Sequence, residues 1–207
     1  MTLSLGEAAA LAKAATRGAG YDWGLAEEAA RAVRWLSSQG LDGCAALAEV
    51  LGHVDGGAPP LLDMRVDQWS AANGALCPLT AGTALADHAA LLSSDRLRLA
   101  GVVAPVLLVS FAADAARIMG VPVGLSWDGA EFVTDGDSVS GDTSNSGQAD
   151  VSITFGAALA VPHLRATRAD PPPEVRAALT AFAGRTHAPA TEASRLTGAG
   201  AAASDND

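Results

Sequence analysis

Val121-Pro-Val-Gly-Leu-Ser-Trp127, then Asp128-Gly129, then Ala130-Glu-Phe-Val-Thr134 is the stretch on which the fold turns. Two runs of β-branched, aromatic and aliphatic residues flank a dipeptide that tolerates positive φ, the pattern of a two-residue β-hairpin. Upstream, Leu97 to Phe111 reads as a buried strand, interrupted at Pro105, that runs into a helix through Met119. Before it lie an amphipathic helix over Thr80 to Leu92 and an alternating strand over Leu61 to Trp69. Downstream, Asp135 to Gln148 is rich in Asp, Ser, Gly and Asn and reads as a mobile loop. Ala149 to Phe155 alternates again. Pro171 to Pro173 open a helix carrying Val175, Leu179 and Phe182. A last short helix is expected near Pro189 to Gly198, followed by a tail to Asp207.

The first third reads as helices. Ser4 and Glu7 form a Ser-x-x-Glu capping box, and Gly18 is a natural stop. A second helix is predicted from Gly24 to Ser38, with Leu25, Ala29, Val33 and Leu36 on one face and Glu27, Glu28, Arg31 and Arg34 on another. Asp42 is the N-cap candidate for a third, in which Leu47, Val50, Leu51 and Val54 share a face. The expected fold is α+β in one domain over 1–207. It has a helical block at 1–57, a mixed core at 58–165 with a mainly antiparallel sheet, and C-terminal helices and tail at 166–207.

Composition excludes several functions. The 207 residues carry a net charge of −10, and Lys13 is the only lysine. An acidic chain without a basic stripe is a poor partner for nucleic acid, because phosphate contacts need clustered cations. The most apolar stretch, Leu99 to Phe111, is too short to span a bilayer. Met1 to Leu11 has no basic segment ahead of a long apolar run, so no signal peptide is expected. The expectation is therefore a cytoplasmic protein that binds neither membrane nor nucleic acid. Cys44 and Cys77 belong to no Cys-x-x-Cys; two buried thiols are expected, with a disulfide left open.

Motifs for chemistry are thin. Gly18, Gly20 and Gly24 follow a helix, whereas a dinucleotide loop follows a strand. Asp135, Asp137, Asp142 and Asp150 do not make an EF-hand, since Val139 takes a ligand position and no Glu closes the loop. Gly136-Asp137-Ser138-Val139 resembles the nucleophile block of some lipases, but no Asp-x-x-His follows and no Gly-x-Ser-x-Gly is present. His53, His88, His163 and His187 contain no pair at helical zinc spacing. No metal and no cofactor are expected.

The candidate site is the entrance of the second helix. Tyr21, Trp23, Glu27, Glu28 and Arg31 combine aromatic surface, two carboxylates and a guanidinium, the elements of a polar pocket for a small molecule. The same residues also fit an aromatic staple beside a solvated charged face.

Two segments carry a resemblance. Gly18-Ala-Gly-Tyr-Asp-Trp-Gly-Leu25 with its continuation to Leu36, and Thr186-His-Ala-Pro-Ala-Thr-Glu-Ala-Ser-Arg-Leu-Thr-Gly-Ala-Gly200 with Ser204-Asp-Asn-Asp207, resemble a bacterial family of about this length described as a domain of unknown function, a likeness expected to cover the whole chain. The resemblance implies no activity. It draws His187, Glu192, Arg195 and Asp205 into the candidate site. A looser likeness, in Leu25-Ala-Glu-Glu-Ala-Ala30 and Leu41-Asp-Gly43, is to the N-terminal helices of NAD(P)-dependent lactate and malate dehydrogenase-like oxidoreductases. That family then shows Ser-His-Gly where this chain has Cys44-Ala45-Ala46, so its catalytic His is absent.

Three functions remain open. One is an accessory or small-ligand-binding protein of bacterial metabolism. The second is a small-molecule enzyme with Glu27 or Glu28 as base, Arg31 as anion anchor and Tyr21 as donor. The third is a homo-oligomeric scaffold with an exposed patch at Trp23, Trp35 or Trp69.

Overall fold

A computed structural model describes residues 2–55, 57, 61–92, 96–143 and 147–186. Three helices open the chain, and each starts where a short polar side chain satisfies a helix-end amide. The Ser4 hydroxyl caps α1 (Leu5–Gly18) by accepting the Glu7 N–H at 3.1 Å, and Glu7 Oε2 accepts the Ser4 N–H at 2.7 Å. Asp22 caps α2 (Trp23–Ser38) through the Leu25 N–H at 2.8 Å. Asp42 caps α3 (Gly43–Val54) through the Ala45 N–H at 2.9 Å. A cap of this kind contributes about 1 kcal/mol. The predicted inner faces are buried: Ala29, Val33 and Leu36 on α2, and Leu47, Val50 and Leu51 on α3.

The remainder is the sheet half of an α+β fold. Its strands are β2 (Leu62–Met64), β3 (Gln68–Ala71), β4 (Arg96–Val103), β5 (Val123–Trp127), β6 (Ala130–Thr134), β7 (Val139–Thr143) and β8 (Gln148–Phe155), arranged β2-β3-β4-β8-β5-β6-β7. Every pairing is antiparallel except β3 with β4. The Asp128-Gly129 hairpin forms as read, with Trp127 opposite Ala130. Leu97, Leu99, Val123, Leu125, Phe132, Val151 and Ile153 turn inward at period two, while Arg96, Arg98, Ser126 and Glu131 face solvent. Helix α4 (Pro78–Asp87) packs on α5 (Leu108–Met119), and α5 in turn packs on β5 and β6. Helix α6 (Pro173–Gly184) returns to lie against α1 and α3.

Several expectations need correction. Leu61 to Trp69 is not one strand; β2 and β3 pair with each other, and the Arg65 N–H bonds the Gln68 carbonyl across the turn at 3.1 Å. The strand at 97–111 stops at Val103. Ala104 is left-handed (φ 45°), Pro105–Leu107 form one 3-10 turn, and α5 starts at Leu108. The helix expected to Leu92 ends at Asp87 and continues as a 3-10 turn over Ala89–Leu91. The loop at 135–148 contains β7: Asp135 Oδ1 accepts the N–H groups of Asp137 (3.0 Å) and Ser138 (2.7 Å), which turns the chain back onto β6. A two-residue ladder, β1 (Leu3–Ser4) with β9 (Arg168–Ala169), was not anticipated. The helix expected near Pro189 and the tail lie outside the described residues. Both cysteines are buried and free.

The crossing of α1 and α6 is tight enough to test. A methyl on Gly18 would stand 1.7 Å from the Phe182 carbonyl oxygen, whereas one on Gly52 in α3 meets nothing within 4 Å. Gly18→Ala is expected to destabilise by about 1–3 kcal/mol through overpacking. Gly52→Ala is expected to stabilise by about 0.5–1 kcal/mol through helix propensity. Urea denaturation of both variants checks the pair, and a Gly18→Ala protein as stable as the wild type would contradict the close crossing.

Candidate functional site

Helix α2 positions the sequence-predicted residues, but it does not gather them around one cavity. Tyr21, just before the helix, turns inward and is 1% exposed. Its hydroxyl lies 3.4 Å from Cys77 Sγ at the start of α4. Burial, with the Cys77 thiol beside it, pushes the phenol well above its usual value. Tyr21 is therefore a core residue and not the donor of an open pocket.

Trp23 does the opposite and is 64% exposed. Its ring is flanked by α1, with the Arg17 guanidinium 4.6 Å and the Lys13 ammonium 5.6 Å from its centroid. Glu27 pairs with the same Lys13. Adjacent helical residues stand about 100° apart, and Glu28 reaches the other way, to Arg31. Arg31 Nη2 also bonds Asp114 Oδ2 of α5 at 3.2 Å. The predicted cluster is thus divided between α1 and α5. Of its C-terminal members, His187, Glu192, Arg195 and Asp205 lie outside the described residues.

The side facing α5 encloses a groove of about 410 Å³. Arg31, Ala32, Arg34, Trp35 and Ser38 come from α2; Ser110, Phe111, Asp114 and Arg117 come from α5; Leu5 closes the end. Asp114 sits between two guanidiniums, since Arg117 Nη1 bonds its Oδ1 at 2.6 Å. Arg117 further reaches Asp137 Oδ1 (3.5 Å) and the Gly136 carbonyl. Arg34 is exposed and makes no ion pair or hydrogen bond among the described residues. Sequence reasoning placed Arg34 on the charged face of the second helix and missed Asp114 and Arg117 altogether. The only local signal was the Asp-x-x-Arg spacing within an otherwise apolar helix.

A second groove, of about 580 Å³, lies on the α1 side between Lys13, Arg17, Trp23 and Arg185. There the cations are engaged. Lys13 holds Glu27, Arg17 donates to the Tyr21 carbonyl, and Arg185 grips Asp55 with both Nη atoms.

Base, anchor and donor do not converge as the enzyme reading requires, because Tyr21 is buried and neither Glu27 nor Glu28 lines the α2–α5 groove. Its carboxylate is Asp114. Of the tryptophans named for an exposed patch, Trp69 is buried in the core, Trp35 is half-buried at the groove, and Trp23 is exposed. The acidic residues of 135–150 disperse, with Asp135 bound to its turn, Asp137 to Arg117, and Asp150 to Arg98 and the Gly101 N–H. Among the described residues, no three His, Cys, Asp or Glu side chains come together as a metal site, and no helix is long and apolar enough to cross a membrane.

Residues 3–77 match the model of the family described as "Protein of unknown function (DUF3726)". The resemblance read from Gly18 to Leu36 falls inside that span, and the one read from Thr186 onward falls outside it. No curated protein matches. Among solved structures, the chain is similar to delta1-piperideine-2-carboxylate reductase from Pseudomonas syringae pvar. tomato, at 18% identity and a TM-score of 0.36. That likeness covers 61% of this chain and 42% of the reductase, so the chain spans less than half of the length of the protein it matches.

Glu28 makes the site's charge balance measurable. Burial raises its pKa, Arg31 opposes the rise, and Asp114 and Asp87 add to it. The folded protein therefore holds this proton more tightly than the unfolded chain. That stabilisation is fully present below the ordinary glutamate value of 4.5 and is lost as pH rises through the higher folded value. Glu28→Gln is expected to flatten the fall in stability over that window, read as unfolding free energy in a pH series. Parallel curves for variant and wild type would refute this.

Proposed function

We propose that this protein binds a small organic acid in the α2–α5 groove and acts as a cytoplasmic accessory protein of metabolism without a reaction of its own. The carrying observation is Arg34. It stands at the rim of a concave, largely apolar site with its guanidinium uncommitted among the described residues, in a chain whose net charge is −10. Arginine presents a fixed fork of donors that matches a carboxylate. A groove of this volume lies within the range that holds metabolite-sized ligands, about 300–1,000 Å³.

Thermal-shift and calorimetric titration with a panel of small acids tests the proposal. A ligand at about a hundred times its Kd stabilises by roughly 2.7 kcal/mol, which in a chain of this size raises Tm by roughly 5–10 °C. Arg34→Ala is expected to weaken binding at least tenfold, because a charge-assisted hydrogen bond contributes about 1.5–3 kcal/mol. Binding of equal strength in the Arg34→Ala protein would remove the groove as the site.

A further inference from the structure

We infer that the α2–α5 groove selects a molecule with a single carboxylate on an apolar body and discriminates against dianions, an inference that rests on the acid-binding reading above. Three features of the lining carry it. The first is how the cations are committed. Arg31 is shared by Glu28 and Asp114, and Arg117 by Asp114 and Asp137. Those three carboxylates outnumber the two guanidiniums they hold, so only Arg34 is left to neutralise a ligand, and it neutralises one charge. A second anionic group in the groove would lie uncompensated near Asp114, and like charges at close range are repulsive.

The second feature is the direction of the hydroxyls. Ser38 Oγ donates to the Trp35 carbonyl at 2.7 Å, and Ser110 Oγ donates to the Leu107 carbonyl at 3.0 Å. A hydroxyl has one proton. With both protons directed at backbone oxygens, these serines show the groove lone pairs. They do not solvate a second carboxylate or a phosphate. The third feature is the floor. Leu5, Ala32, Trp35 and Phe111 present aliphatic and aromatic surface beside Arg34. An apolar ligand body covers that surface and removes it from water, which favours binding. A short dianion forgoes the contact.

The full chain is titrated calorimetrically at pH 7 with phenylacetate, succinate and inorganic phosphate. Phenylacetate is expected to bind at least tenfold more tightly than the other two. Asp114→Asn is expected to narrow the gap between phenylacetate and succinate. Trp35→Phe, which keeps an aromatic floor, is expected to preserve the order of preference; Trp35→Ala is expected to weaken phenylacetate alone. The selectivity order is read first in the wild type, so it stands even where a variant loses stability. Succinate or phosphate binding as tightly as phenylacetate, and lost in Arg34→Ala, would overturn the selectivity while leaving acid binding intact. No binding of any of the three would overturn both.

Discussion

Helix α5 is the constraint around which the rest is arranged, because it is buried on nearly every side. Leu108, Val109, Phe111, Ala112, Ala113, Ala115 and Ala116 are all within the core. The helix lies between α2 and α4 on one hand and strands β5 and β6 on the other. A helix with so little polar surface has its rotation fixed mainly by the shapes of its neighbours. Phe111 supplies one such shape, since its ring occupies the space a methyl on Gly82 of α4 would need, 2.3 Å from the nearest ring atom. The alanines permit close approach elsewhere. Asp114 and Arg117 break the apolar surface, and they break it where the groove opens.

Helix α2 is anchored at its far end by a buried polar residue. Gln39 is fully buried, and its Nε2 donates to the Asp137 carbonyl at 2.9 Å. The His163 ring lies between the carbonyls of Gln39 and Gly141. The β6–β7 turn is thereby tied to the end of the helix that carries Arg34 and Trp35, and the same turn holds Arg117 through Asp137 and Gly136. Both walls of the groove therefore rest on one β-turn. A buried hydrogen bond of this kind contributes about 1 kcal/mol when made and costs more than that when half of it is removed.

What was legible in the sequence was local chemistry. Ser4 and Asp42 announce helix starts because a cap spans only three residues, and Asp128-Gly129 announces a hairpin because the turn itself demands those residues. The β2–β3 turn was missed because Arg65 to Gln68 contains no Gly, Pro or Asn to mark it. Strand β7 was missed because its residues are those of a loop, and only pairing with β6 makes them a strand. The ladder joining Leu3 to Ala169 depends on contacts between the ends of the described chain, which no local pattern encodes. The site divides the same way. Arg31 was found from its neighbours on the helix. Tyr21 was misplaced because an aromatic residue at a helix entrance looks alike in sequence whether it points inward or outward. Arg34 reads as surface until α5 is set beside it.

The groove is a seam between two stretches of chain roughly eighty positions apart. Arg31, Arg34 and Trp35 fall within the span that matches the family model, while Asp114 and Arg117 lie beyond it. On the acid-binding proposal, the cation that would recognise a ligand's charge belongs to one segment, and the Asp114 carboxylate that would limit how much charge is admitted belongs to the other. Under that proposal, change on α5 alone would retune which acids enter while the helical block keeps its shape.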